Sequence, residues 1–137
     1  MERRLLQGLS WLGEAAGDDA TSMRFVRVAI ALEALVADDG GPSTQMMHAG
    51  ITAPLRERAA FLASDEPEER MEVHRLVGSY YGRRSSVVHG GVVEIDPAEV
   101  DAFGSIVWRV ARGLIRNLDA LSAPSELGRW IKERRYS

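Results

Sequence analysis

No cysteine occurs in the 137 residues, and that absence removes a disulfide framework, any thiolate metal site and any thiol nucleophile at once. Histidine is scarce: His48, His74 and His89 fall at no metal-ligand spacing, so neither a metal nor a cofactor is expected. Lysine is almost missing too, Lys132 being the single lysine among 17 basic residues. Long apolar runs are lacking. The longest, 28–37, is broken by Glu33 and falls far short of the roughly 20 residues a membrane span requires. The first residues lead into a stretch containing Gln7 and Glu14, too polar for a signal-peptide core. A cytoplasmic protein with no membrane partner is therefore expected. Excess positive charge is absent as well: the formal net charge is −3. Any nucleic-acid contact then has to come from a local patch rather than from the whole surface.

What is present is a 45% hydrophobic chain of single-domain length, enough for one continuous core. We expect one domain over 1–137, with its core at about 5–121 and a short basic helix or tail at 124–137. Leu5, Leu9, Leu12 and Ala16 mark one face of a first helix ending before Gly17. Asp18, Asp19, Thr21 and Ser22 are cap candidates for a second helix over about 23–37, apolar nearly all round and so the central element. Thr52 and Pro54 open a third helix with Leu55, Ala59 and Leu62 inside; Asp65 and Pro67 repeat that start signal. The fourth helix, about 67–89, carries Val73, Val77, Tyr80, Arg84 and Val88 in helical register. A fifth begins at the capping-box-like 96–99 and runs through Val100, Phe103, Val107, Val110, Leu114, Leu118 and Leu121 until 122–125 stops it. Residues 126–135 suggest a sixth around Leu127, Trp130 and Ile131. The fold class is thus all-α, a bundle of five to six helices. Around Gly90 and Gly91 the flanking valines also fit a two-residue hairpin. The unbroken register from Val73 to Val88 favours a helix end there.

The segment 81–91 holds the chemistry-bearing residues. Arg84 stands on an apolar stripe, where arginine is costly unless an acceptor meets it, and Glu33 is the one acid within the apolar central helix. An Arg84–Glu33 pair is the economical solution, and the same pair serves equally as a structural link between two helices. His89 is five residues on, about 140° around an ideal helix, so Arg84 and His89 converge only through a helix end or a second chain. A histidine at a helix end has its protonated form favoured by the exposed carbonyls. The plainer role there is a cap on those carbonyls.

The run Arg84-Ser-Ser-Val-Val-His89-Gly resembles the arginine, four residues, histidine signature of HEPN domains. Tyr81 before it and Gly90-Gly91 after it look like the Apea-like branch, as do Leu5-Leu-Gln-Gly-Leu-Ser-Trp-Leu12 and Ile30-Ala-Leu-Glu-Ala-Leu35. The resemblance spans about 5–121. It implies a HEPN-like helical bundle that forms a homodimer, in which Arg84 and His89 of both chains share one cleft. It implies a metal-independent ribonuclease with Glu33, Tyr81 and Ser85 in support and Arg83 on the RNA. An alternative is a non-catalytic dimerisation, nucleotide-binding or RNA-binding module. An antitoxin or a larger defence assembly is the further partner class. One subgroup has a tyrosine two residues after the histidine that a nucleotidyltransferase modifies; Gly91 stands there, which argues against that control.

Other groups carry less. Ser85 and His89 have the spacing of a nucleophile and base, yet no acid orients them. Arg109, Arg112 and Arg116 share a face of the fifth helix and could track phosphates; a solvated face is preferred. Arg129, Lys132, Arg134 and Arg135 form a basic tail, read as solvated or disordered. His48 and His74 receive no role.

Overall fold

The computed structural model describes residues 1–17, 20–36, 52–88, 95–123 and 125–136, with the side chains of all but 52 and 84–88. Those residues form six helices and no strand: α1 Glu2–Ala16, α2 Thr21–Val36, α3 Thr52–Ala63, α4 Pro67–Val88, α5 Pro97–Arg116 and α6 Glu126–Arg135. The all-α expectation therefore holds. No helix among the described residues is long and apolar enough to cross a membrane.

The central position foreseen for α2 follows from its composition. Nine of its residues, from Phe25 to Val36, are buried, Glu33 among them, and it packs against α1, α3, α4 and α5. Its last turn receives a cation, as the helix dipole favours: Arg58 Nη1 donates to the Val36 carbonyl at 2.7 Å. The expected cap candidates Asp18 and Asp19, and residue 37 at the expected end, lie outside the described residues.

In α1 the inner face differs from the expected one. Arg4, Leu5, Gly8, Leu12 and Ala15 are buried, whereas Ala16 is exposed and Leu9 is half-buried against the core. A 3.6-residue repeat drifts off a fixed series of steps, and Gly8 sets the orientation. A β-carbon at position 8 would overlap the Leu35 side chain, so α1 and α2 meet through a glycine.

The start of α4 is organised by Ser64 rather than by the expected Asp65. Ser64 Oγ accepts from the Glu66 backbone N–H at 3.0 Å and donates to Glu69 Oε2 at 2.5 Å. A short hydroxyl can bond the local backbone and a first-turn carboxylate together. Asp65 is exposed and stands 3.9 Å from Arg70. In α5 the foreseen start is present: Asp96 accepts from Ala98 N–H at 2.9 Å with Pro97 in the first turn. Its end comes earlier than 122–125. Helix α5 stops at Arg116 with Asn117 as cap, because Asn117 Nδ2 donates back to the Gly113 carbonyl at 2.7 Å and competes with helix continuation. Leu121 is buried beyond the helix nonetheless.

Two further contacts close the bundle. At Gly113 a β-carbon would run into the Leu62 carbonyl oxygen and carbon; that obstacle is backbone, so the α3–α5 approach requires glycine there. The basic tail is the anticipated sixth helix, ordered rather than disordered, and Arg129, Lys132 and Arg135 on it are exposed, in keeping with the solvated reading. Leu127, Trp130 and Ile131 of α6 join the core, Arg134 lies 3.7 Å over the Trp130 ring, and Arg135 pairs with Glu57 of α3. Arg134 thus lays its stem along apolar surface and keeps its charge at the edge, while Arg129 pairs with Glu126 and Glu133 on the exposed side.

Candidate functional site

The buried face of α4 divides at two adjacent tyrosines. Tyr80 turns toward α5 and the start of α2, stacking on Phe103 with ring centroids 4.6 Å apart and meeting Phe25 edge-on at 6.3 Å. Tyr81 turns toward the middle of α2. Its hydroxyl donates to Glu33 Oε1 at 3.0 Å and lies 3.2 Å from the Ala29 carbonyl oxygen. One proton is shared between these two acceptors, which stand one turn apart on α2.

That contact answers part of the question posed by Glu33. The side chain is 2% exposed, and a carboxylate withdrawn from water is tolerated when donors surround its oxygens. Tyr81, itself 6% exposed, supplies one of them. The anticipated Arg84–Glu33 pair involves a side chain outside the described residues, as does Ser85. Their backbone belongs to α4. Positions 84 and 85 follow Tyr81 by three and four residues and so share its sector of the helix, about 5 Å further toward the carboxyl end. His89, immediately after α4, and Gly90 and Gly91 lie outside the described residues. The helical state of 87 and 88 agrees with the preferred reading over a hairpin.

Arg83 takes a different direction. Its guanidinium forms an ion pair with Glu99 in the first turn of α5, both side chains about one-third exposed at 37% and 35%. This joins the end of α4 to the beginning of α5, next to the Asp96 cap. Glu99 read in the sequence as a capping position; its link to Arg83 has no signature in spacing.

A separate groove of about 570 Å³ lies along the first half of α4, lined by Pro54, Phe61, Arg70, Met71 and His74 among others. Partial burial, with the Arg56 charge, pushes the His74 imidazole below its usual pKa, against an opposing pull from Glu57. Among the described residues no three His, Asp or Glu side chains cluster as metal ligands. The sequence-derived residues thus gather at the second half of α4: Glu33 and Tyr81 in contact, Arg83 on the opposite side with Glu99, and positions 84 and 85 on the following turn. Comparison with protein-family models, curated proteins and solved structures finds no match to this chain.

Proposed function

We propose that this chain is a HEPN-type, metal-independent endoribonuclease that works as a cytoplasmic homodimer in a toxin, phage-defence or stress setting. The observation that carries the reading is the buried Glu33–Tyr81 hydrogen bond. It sets a carboxylate and its donor against α4 one turn before position 84, where the motif arginine needs a fixed base. Glu33 and Tyr81 are positioning residues in this scheme, and Arg84 and His89 touch the RNA.

The chemistry follows from the residue types. The 2′-oxygen of a ribose attacks the adjacent phosphorus while its proton passes to a neutral histidine; the bond from phosphorus to the 5′-oxygen breaks, and that oxygen takes a proton from a histidinium. His89 from each of two chains supplies the pair, and a twofold axis provides both. Arg84 holds the charge that builds on the phosphorane oxygens, its planar fork matching two of them. The products carry a 2′,3′-cyclic phosphate and a 5′-hydroxyl. Ser85 adjoins the arginine as a further phosphate donor. Arg83, one-third exposed, exchanges Glu99 for an incoming phosphate.

Two features support a second reading, a HEPN-like module that dimerises or binds RNA or a nucleotide without cleaving. Arg83 is already matched by a carboxylate, and the chain as a whole carries −3. An antitoxin or larger assembly fits either reading. Incubating the protein with mixed RNA in chelator, beside Arg84→Ala and His89→Ala, separates them. Cleavage by the wild type alone supports the enzyme; no cleavage, or equal cleavage by all three, removes it.

A further inference from the structure

The outer face of α5 carries a second arrangement that the α4 site does not use. Trp108 and Ile115 are each 48% exposed, and Arg112 and Arg116 are exposed beside them. Position 112 follows 108 by four residues, and 115 and 116 follow 112 by three and four, so all four share one helix face. Arg109 flanks them and meets Glu69 at 3.4 Å. The side chains of Arg112 and Arg116 make no hydrogen bond or ion pair among the described residues. Arg112 stands between two shallow grooves, one of about 380 Å³ bordered by Gly104, Ser105 and Trp108, the other of about 360 Å³ bordered by Arg109, Ile115 and Arg116.

This face differs from the rest of an acidic chain. Three arginines lie on it; Arg109 alone engages Glu69, and Asp101 beside the Trp108 groove is paired with Arg24. Like charges on neighbouring turns repel each other, and an exposed indole forgoes burial. A second copy of the chain docked here about a twofold axis would bring arginine against arginine. A flexible polyanion with flat apolar faces relieves both costs: phosphates neutralise the guanidiniums, and a base covers the indole. We propose that Trp108, Arg109, Arg112 and Arg116 bind a single-stranded stretch of RNA, the arginines on successive phosphates and Trp108 stacked on a base. The inference rests on the ribonuclease reading in taking this strand as the one delivered to the end of α4. The Arg83–Glu99 pair ties that end to the first turn of α5. Trp108 lies nine residues along the same helix, about 14 Å away, a distance that a few nucleotides span.

The test measures fluorescence anisotropy of a labelled single-stranded 2′-O-methyl RNA of about 12 nucleotides, which lacks the attacking hydroxyl, so that binding is read apart from cleavage. Wild type should bind with strong salt dependence. Arg112→Glu with Arg116→Glu should weaken binding by about tenfold or more and flatten the salt slope by about 1.4. Trp108→Ala should cost about fivefold or more. Arg75→Glu with Arg129→Glu changes net charge equally at other exposed positions and should bind nearly as wild type, with circular dichroism melts confirming that each variant folds. A wild type that does not bind, or equal losses in both charge-reversed pairs, overturns the proposal. Equal affinity for a duplex overturns the stacking role of Trp108. If the protein binds as described yet leaves unmodified RNA intact, the ribonuclease reading falls and the α5 surface stands. If it cleaves RNA while the α5 variants bind normally, the reverse holds.

Discussion

Tyr80 and Tyr81 are adjacent on α4, similarly buried, and differ in what they meet. Tyr80 enters an aromatic cluster with Phe25 and Phe103, and its hydroxyl makes no hydrogen bond among the described residues. Burial pushes its phenol above the usual pKa, so the group stays protonated. Tyr81 brings its hydroxyl to a buried carboxylate. The first ring contributes by area and shape, the second by placing one proton. Packing of the Tyr80 kind holds α2, α4 and α5 together, whereas the Tyr81 contact fixes the direction of a single side chain near the motif turn.

Breaking the packing half should have the largest effect on stability. Phe103→Ala empties the space between Phe25 and Tyr80 and should cost about 3–5 kcal/mol, read as a lower midpoint in denaturant. The two tyrosines then sharpen the contrast at constant ring volume. Tyr81→Phe leaves a Glu33 oxygen without one of its donors and should cost about 1–3 kcal/mol. Tyr80→Phe should change stability by about 0.5 kcal/mol or less. Equal losses in the two variants would mean that the Glu33 contact carries no special weight.

The smallest effect concerns pH, and it lies at the other end of α4. The His74 pKa is depressed below 6.5 in the fold, so the unfolded chain binds the proton more readily. The stabilisation from neutral His74 is complete above the unfolded pKa and is lost as pH falls through the lower folded value. Wild type should therefore lose stability on acidification below about pH 6.5 more steeply than His74→Gln, as urea titrations at several pH values would show. Parallel curves would remove His74 from the explanation.

Much of the helical layout was legible because apolar periodicity and local caps are written in sequence. Asp96 and Pro97 start α5 as read, and 126–135 is α6 with the three anticipated apolar residues inside. What escaped depends on partners distant in the chain. Arg4 is buried although it lies off the leucine stripe, and no pattern in α1 announces it. Asn117 ends α5 while the apolar series continues to Leu121, since apolar spacing does not register a side chain bonding its own helix. The docking of α6 was read from its apolar residues, but the partners of its arginines, the Trp130 ring for Arg134 and Glu57 for Arg135, have no signature in spacing.

The candidate site was legible to a similar degree. Glu33 stood out as an acid in an apolar helix, and Tyr81 as a neighbour of the motif. Their hydrogen bond crosses 48 positions of sequence, and a buried carboxylate advertises its need for donors without naming them. The Arg83–Glu99 pair was hidden for the same reason. A basic residue beside a motif reads as a phosphate ligand until a carboxylate from another helix is seen against it.

Under the proposed function, the Tyr81 side of α4, rather than the Tyr80 side, serves a catalytic end of the helix. The most direct test is the single-turnover cleavage rate of an end-labelled RNA in chelator, measured for wild type, Tyr80→Phe and Tyr81→Phe at a temperature where all three are folded. Wild type should yield 2′,3′-cyclic phosphate products, Tyr80→Phe should cleave at a near-normal rate and Tyr81→Phe about tenfold more slowly, as expected when a positioning hydrogen bond is lost. Cleavage that is absent in wild type, or that is the same in both variants, would contradict it.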